Sequence, residues 1–588
     1  MERAGPLRRV FVSATVAGLL ACSIALAFTT SRHASLTADE PKHIATALFH
    51  ASEGRCCLGR DNSPSLVLNA VPLLFGEHPG RSSLVPGSDP WRSGRELLLA
   101  EPDLEQTTRR ARLASLALLL ALGVTVFAWA RSLYGPSGGL LALFLFSFSP
   151  TLLAHGSLAT SDIHAACFIT LAAFTYARFL DRPRVGRLLA SGLALGLALA
   201  AKFSALALLP SFALLGLVAG PWGEERLRGR LGRHGASLAA ILLVAACVLF
   251  AAYGASSARV PLSGGEASLA GFADYLDGLA RVRVLGERGW NSYLLGEYRL
   301  GGWWYYYPIA LAVKTPIPAL LAFVAAFATT PWIVGVERRR EACVWIPALV
   351  LLAAALASDL NIGVRHLLPV LPLLYVVCGR LVTLELGPAS VRRLLLTAGG
   401  AWYVLGTVSH HPHHLSYFNE LAGGPERGHL VIADSNLDWG QSLRDLKHYL
   451  DAEGVEAVRL AYFGPTPPGR YGIRYQPLPS FDRHPEDSVH RGSFGERELL
   501  VVSAYDLLGI DPSMRRTYAW LRERDPIARP GYSFFVYDVT DDLEAQRRLV
   551  QMYQEDGDTD LASLERARLR ARLAARREAR EGTSDDAP

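Results

Sequence analysis

The sequence predicts a multi-span α-helical membrane protein of about eleven transmembrane helices, followed by a C-terminal soluble α/β domain. Three observations predict it. Half of the 588 residues are hydrophobic and only 19% are charged, too apolar for an ordinary soluble protein. Apolar runs long enough to cross a bilayer recur between Val10 and Ser409. Beyond His410 the composition changes, and strand-like stretches alternate with amphipathic ones.

Spans are expected near 10–29, 111–130, 138–154, 163–180, 187–200, 203–219, 236–253, 308–334, 343–357, 366–380 and 393–409. The run from Leu188 to Gly220 is broken at Lys202 and reads as two short spans or a hairpin. The start, MERAGPLRR, is basic, and LLACS resembles a lipoprotein cleavage site. Apolar character continues past Cys22 to Phe28, however, so a retained first helix is expected.

Orientation follows from the basic loops. Arg3, Arg8 and Arg9, then ARFLDRPRVGR, EERLRGRLGR, VERRRE and Arg392-Arg393 all fall on one side of an eleven-span chain. The positive-inside rule makes that side cytoplasmic. The N-terminus is then cytoplasmic. Segments 30–110 and 254–307 and the C-terminal domain face outward from the cell (inner) membrane. Segment 30–110 is expected as short amphipathic helices on the membrane. GWNSYLLGEYRLGGWWYYY, 289–307, reads as an aromatic belt at headgroup level.

In the C-terminal part, HLVIADS, AVRLAYFG, ELLVVSAYD and YSFFVYDV read as strands. SLRDLKHYLDAEG and RRTYAWLRERD read as helices between them. The expected division is 1–409 transmembrane, 410–545 α/β, and 546–588 a charged helical tail lying in solvent or on the membrane surface. A net charge of +5 in short clusters leaves no nucleic-acid footprint. Five cysteines lie in apolar runs as small hydrophobes, and Cys56-Cys57 lacks metal spacing.

Candidate chemistry lies where charge meets the outer membrane edge. Asp39 and Glu40 follow the first span, where a shielded carboxylate can act as a general base or a solvated turn can form. Asp162, in HGSLATSDIHAACF, could join them, and either it or Ser161 could cap the next helix, two roles that do not exclude each other. Lys202, Lys314 and Arg365, with His366 beside it, are cations on the side the basic bias avoids. Each either snorkels or meets an anion. The cluster SHHPHHLSYFNE closes no metal donor set, and DSNLDWG has Trp439 where a calcium loop needs Gly.

TADEPKHI, LATSDIHAACF, AAKFSALALLP, GGWWYYYPIALAVKTPIP, NIGVRHLLPVLPLLY and YFNELAGGP…DSNLDWGQSLRDLKHYL, in this order, resemble bacterial members of glycosyltransferase family 39. That family is related to the protein O-mannosyltransferases and the lipid A aminoarabinose transferases. The resemblance spans about 1–450. It implies a C-type glycosyltransferase fold with its active site on the outer face and a polyprenyl-phosphate sugar as donor. It makes Asp39 the catalytic base with Glu40 beside it, and Asp162 the second acid. Lys202, Lys314, Arg365 and His366 become donor contacts. The acceptor would be a protein, lipid or glycan of the cell envelope. No cofactor is fixed, and a divalent metal stays open. The C-terminal α/β domain departs from the eukaryotic mannosyltransferases. A transporter or flippase of an anionic polyprenyl lipid, or a non-catalytic membrane scaffold, remain the alternatives.

Overall fold

The computed structural model describes residues 6–53, 63–85, 88–219, 227–254, 270–332, 335–384, 388–484 and 490–584. Cys56-Cys57 and parts of both long loops lie outside these residues. The chain forms two compact units, Met1–Asn436 and Leu437–Pro588.

The first unit is a helical membrane bundle. Its elements are α1 Pro6–His33, α2 Glu40–Glu53, α3 Val67–Ala70, α4 Pro90–Leu99, α5 Leu104–Ser147, α6 Pro150–Gly156, α7 Ser161–Asp181, α8 Val185–Ala201, α9 Leu208–Ala219, α10 Leu227–Gly254 and α11 Ala270–Arg288. After the hairpin β1 Asn291–Leu294 and β2 Glu297–Leu300 come α12 Tyr306–Lys314, α13 Ile317–Ala328, α14 Gly335–Leu356, α15 Val370–Cys378 and α16 Ala389–Val408. Among the described residues, four helices are long and apolar enough to cross a membrane: Arg9–His33, Leu104–Ser147, Ser161–Asp181 and Gly232–Tyr253. Shorter apolar helices, including Val185–Ala201 and Ile317–Trp332, pack among them. Leu120, Leu193, Leu243 and Val324 point outward, a surface that is stable against lipid rather than water.

The expected spans 111–130 and 138–154 lie on either side of a non-helical kink in α5 at Gly135 (φ 76°), where Pro136 cannot continue the ladder, and the second runs on into α6. Span 308–334 is instead broken at Thr315-Pro316. Lys202 does break the long run, in extended conformation between α8 and the next turn.

Segment 30–110 is a packed subdomain. Leu36, Ile44, Leu48, Phe49, Leu66, Leu97 and Leu98 share one core with the start of α5. Asp89 caps α4 by accepting from the Arg92 N–H (2.8 Å), with Pro90 in the first turn. A Cβ at Gly94 would sit 2.2 Å from the Pro41 carbonyl oxygen, so only glycine lets α4 approach α2 this closely.

Segment 410–436, which sequence joined to the α/β domain, belongs to the membrane unit. It closes the C-terminal end of α12, whose last carbonyls lack helical partners. Asn419 Nδ2 donates to the Ala312 and Thr315 carbonyls, both at 2.6 Å. HLVIADS is therefore no strand: it makes a short turn at Gly428–Leu430 and one bridge, Leu294 to Ile432. The 289–307 segment is only partly an interfacial belt. Trp290 and Trp304 are exposed, while Tyr306 and Tyr307 are buried.

The second unit contains α17 Leu443–Ala452, β3 Ala457–Ala461, β4 Arg474–Pro477, β5 Leu499–Ser503, α18 Ala504–Leu508, β6 Phe534–Asp538, α19 Leu543–Asp556 and α20 Thr559–Ser584. The sheet runs β4-β3-β5-β6, with β3 parallel to β4 and β5 and β6 antiparallel. Alternation sorts the two faces. Val458, Leu460, Leu499 and Val501 pack under Leu443, Leu446 and Leu450 of α17. Arg459, on the opposite face, meets Glu565 of α20 (3.0 Å) and Glu498 (2.9 Å). Both Arg459 and Glu565 are 1% exposed, so the expected solvated tail is instead part of this fold. RRTYAWLRERD makes turns rather than a helix, because Tyr518 and Arg522 bond the carbonyls of Pro479 and Leu507.

Candidate active site

The site is built at one end of the first unit. Thr37 and Glu40 have capping-box spacing, and Glu40 Oε2 accepts from the Thr37 N–H at 2.9 Å as α2 begins. Pro41 suits the first turn of α2. Asp39 is thereby held just before the helix, 23% exposed, and Arg365 Nη1 donates to its Oδ2 at 2.6 Å. Burial alone would raise the Asp39 carboxyl, but Arg365 beside it holds it below its ordinary value.

Arg365 sits in the turn Val364–Leu367. Its loop is fixed from the DSN turn: Ser435 Oγ donates to the Ile362 carbonyl (2.6 Å), and Asn436 Oδ1 accepts from the Val364 N–H (2.8 Å). A Cβ at Gly363 would lie 2.4 Å from Ser435 Oγ, so the approach needs glycine. Burial disfavours the guanidinium charge, yet Asp39, Asp162 and Asp434 raise its pKa further.

Asp162 stands in the first turn of α7, 2% exposed, 2.6 Å from Lys202 Nζ, which is 26% exposed. Thr160, not Asp162, is the N-cap residue. His366 lies beside Arg365 with its ring 6.2 Å from Tyr307. Asp39, Asp162, Lys202, Arg365 and His366 thus form one electrostatic neighbourhood.

Two residues named with them face elsewhere. Glu40 is wholly buried. Arg112 clamps it through Nε (2.7 Å) and Nη2 (2.6 Å), and the Ala159 N–H (2.8 Å) and Thr37 Oγ1 (3.0 Å) add to the Thr37 N–H bond. Burial pushes its carboxyl up, and Arg112 more than reverses that. Its oxygens are filled by donors, so it ties the Asp39 loop to α5 and to the turn before α7. Lys314 is 3% exposed, and its Nζ donates to the Leu415 (2.8 Å) and Asn436 (2.6 Å) carbonyls above the Phe418 ring. It braces the end of α12 instead of meeting an anion.

Asp434 is the acid that sequence reasoning set aside. In the sequence it stands first in DSNLDWG, an incomplete calcium loop. In the fold its φ is 60°, and burial pushes its carboxyl up to about 6 against the pull of Arg365. Its place in DSN, directly before the two residues that staple the Arg365 loop, is the signal that could have found it. Asp39, Asp162 and Asp434 do not bring three ligand atoms into mutual metal-site range among the described residues. In the histidine cluster, His411 Nε2 lies 3.0 Å from Thr29 Oγ1, and His410 Nδ1 donates to the Gly406 carbonyl (2.7 Å).

The opposite end of the bundle gathers the basic loops. Arg340 pairs with Asp181 (2.9 Å), Arg380 with Glu341 (2.5 Å), and Tyr134 donates to Glu341 (2.7 Å). Asp162 begins α7 and Asp181 ends it. That helix has 21 residues, about 30 Å, the thickness of a hydrocarbon core.

Residues 104–251 match the family model described as dolichyl-phosphate-mannose-protein mannosyltransferase. No curated protein matches the chain. Among solved structures, the chain is similar to ArnT from Cupriavidus metallidurans bound to undecaprenyl phosphate, at 14% identity and TM-score 0.45, over 90% of this chain and 98% of that one. It is also similar to the archaeal oligosaccharyltransferase AglB from Archaeoglobus fulgidus in complex with an inhibitory peptide and a dolichol-phosphate. There the identity is 12% and the TM-score 0.45, over 68% of this chain and 56% of that one. The matched segment supplies α7, α8 and the Asp162–Lys202 pair, and over these residues the chain is similar to that family.

Proposed function

We propose that this protein transfers a sugar from a polyprenyl-phosphate donor to an acceptor hydroxyl at the non-cytoplasmic face of the cell (inner) membrane. The observation that carries the reading is the pairing of Asp39 with Arg365 and of Asp162 with Lys202 at the end of the bundle away from the basic loops. The positive-inside rule makes the basic end cytoplasmic. An isoprenoid tail stays in lipid, and its phosphate-sugar head reaches the site.

Arg365 and Lys202 are the phosphate contacts, with His366 beside them. In the ligand-free arrangement each cation is held by a carboxylate. A donor phosphate competes for both. As Arg365 turns to phosphate, Asp39 loses the partner that depresses its pKa and becomes a stronger base. The acceptor oxygen then attacks the anomeric carbon from the face opposite the phosphate, and its proton passes to Asp39. The bond from the anomeric carbon to the phosphate oxygen breaks, and the electron pair leaves with polyprenyl phosphate. The cations stabilise that growing charge, and single displacement inverts the anomeric centre. Asp162 orients Lys202, Glu40 positions the Asp39 loop, and Lys314 serves the fold. The acceptor class is a protein, lipid or glycan of the envelope.

The test is transfer by the purified full chain supplied with several polyprenyl-phosphate sugars. Asp39→Asn should cut turnover by roughly 10²–10⁴-fold while the protein still folds. Undiminished transfer by this variant would remove Asp39 from the role of base. Reporter fusions that put residue 39 in the cytoplasm would refute the orientation.

A further inference from the structure

We propose that His43 is a substrate-contacting residue of this site, its imidazole hydrogen-bonding a hydroxyl of the donor sugar. The inference rests on the functional reading above and concerns the saccharide rather than the phosphate. His43 lies one helical turn beyond Asp39, and its backbone N–H donates to the Asp39 carbonyl at 3.2 Å. Residues four apart share a helix face, so its side chain stands beside the candidate base.

His43 is 7% exposed, and its Nδ1 is buried without a hydrogen-bond partner among the described residues. A buried polar atom of this kind is costly and uncommon. Asp39 faces it from just before α2, Lys42 from α2, Asp162 and His164 from α7, and Arg365 from the turn after α14. His164 shows what a structural histidine here looks like. Its Nδ1 meets Ser65 Oγ and its Nε2 meets Asn69 Oδ1, both at 3.1 Å.

Burial pushes the His43 imidazole down to about 4, so it is neutral at pH 7. A neutral ring offers one donor and one acceptor. A sugar hydroxyl offers the same pair. Such a group orients the sugar without competing with the donor phosphate for Arg365.

The experiment compares the wild-type full chain with His43→Phe and His43→Asn. Undecaprenyl phosphate and undecaprenyl-phosphate mannose and glucose serve as binding probes, and the sugar-bearing lipids also as donors for steady-state kinetics. His43→Phe should lower kcat/KM and weaken binding of the sugar-bearing lipid by roughly tenfold, as for one lost hydrogen bond. Its affinity for undecaprenyl phosphate should not change. His43→Asn, whose amide reaches the Nδ1 position, should recover most of the loss. Equal weakening of both lipids, or unchanged kinetics in His43→Phe with an active wild type, overturns this inference alone. Absence of transfer by the wild type with either sugar, together with absence of binding to both sugar-bearing lipids, overturns the functional reading and this inference with it.

Discussion

Breaking the Glu40–Arg112 pair separates a structural role from a catalytic one. Glu40 is 0% and Arg112 1% exposed. Two charge-assisted bonds join them, at 2.7 and 2.6 Å, each worth about 1.5–3 kcal/mol. Arg112 also holds the carbonyls of Ser31 (2.6 Å), Ala34 (2.9 Å) and Ser35 (2.9 Å). Removing one partner leaves the other charge buried, so Glu40→Gln or Arg112→Met should each cost about 3–5 kcal/mol. The double variant should fall well short of the sum, since it leaves no orphan charge. It should not recover fully, because the amide introduced by Glu40→Gln keeps only one acceptor oxygen where the Ala159 and Thr37 N–H groups now have two. The assay is thermal unfolding in detergent across pH. Glu40 has a depressed folded pKa, so its contribution is present above the ordinary glutamate value of about 4.3 and is lost as pH falls through the folded one. Transfer measured alongside should decline together with stability. Wild-type unfolding in both single variants, with turnover abolished in Glu40→Gln, would refute the tie and make Glu40 a catalytic residue.

Lys202→Ala should raise the donor KM, whereas Lys314→Met should lower the unfolding temperature and leave the donor KM unchanged, since Lys314 Nζ serves two carbonyls; steady-state kinetics and calorimetry separate the two. Asp434 has a raised folded pKa of about 6, so its ionisation opposes folding as pH rises from about 4 towards that value. Asp434→Asn should therefore gain stability relative to wild type at pH 7 but not at pH 4, and unfolding at the two pH values checks the sign. Truncation before Thr559 removes Glu565 from buried Arg459 and should cost about 3–5 kcal/mol, seen as faster proteolysis of the second unit.

The helical bundle was legible because hydropathy is a local property of the chain. A run such as VFVSATVAGLLACSIALAF needs lipid whatever surrounds it. The Arg-rich loops sort to one end by charge alone, as the Arg340–Asp181 and Arg380–Glu341 pairs illustrate. Strands β3, β5 and β6 were equally visible in their apolar runs. Misreadings fell where neighbours decide. HLVIADS is apolar enough for a strand but ends in a turn and a single bridge from Ile432 to Leu294, and the charged helix α20 is held against the sheet by Arg459.

The sequence by itself determined that this is a multi-span membrane protein with acids and cations beside its apolar runs, because hydropathy acts along the chain. Only the tertiary structure decided which of those charges meet. Asp39 and Arg365 are 326 residues apart in sequence, Glu40 and Arg112 are 72 apart, and Lys314 turns inward although its motif looks like that of an anion contact. In the interior a charge must find a partner to offset lost hydration, and packing of distant segments selects that partner.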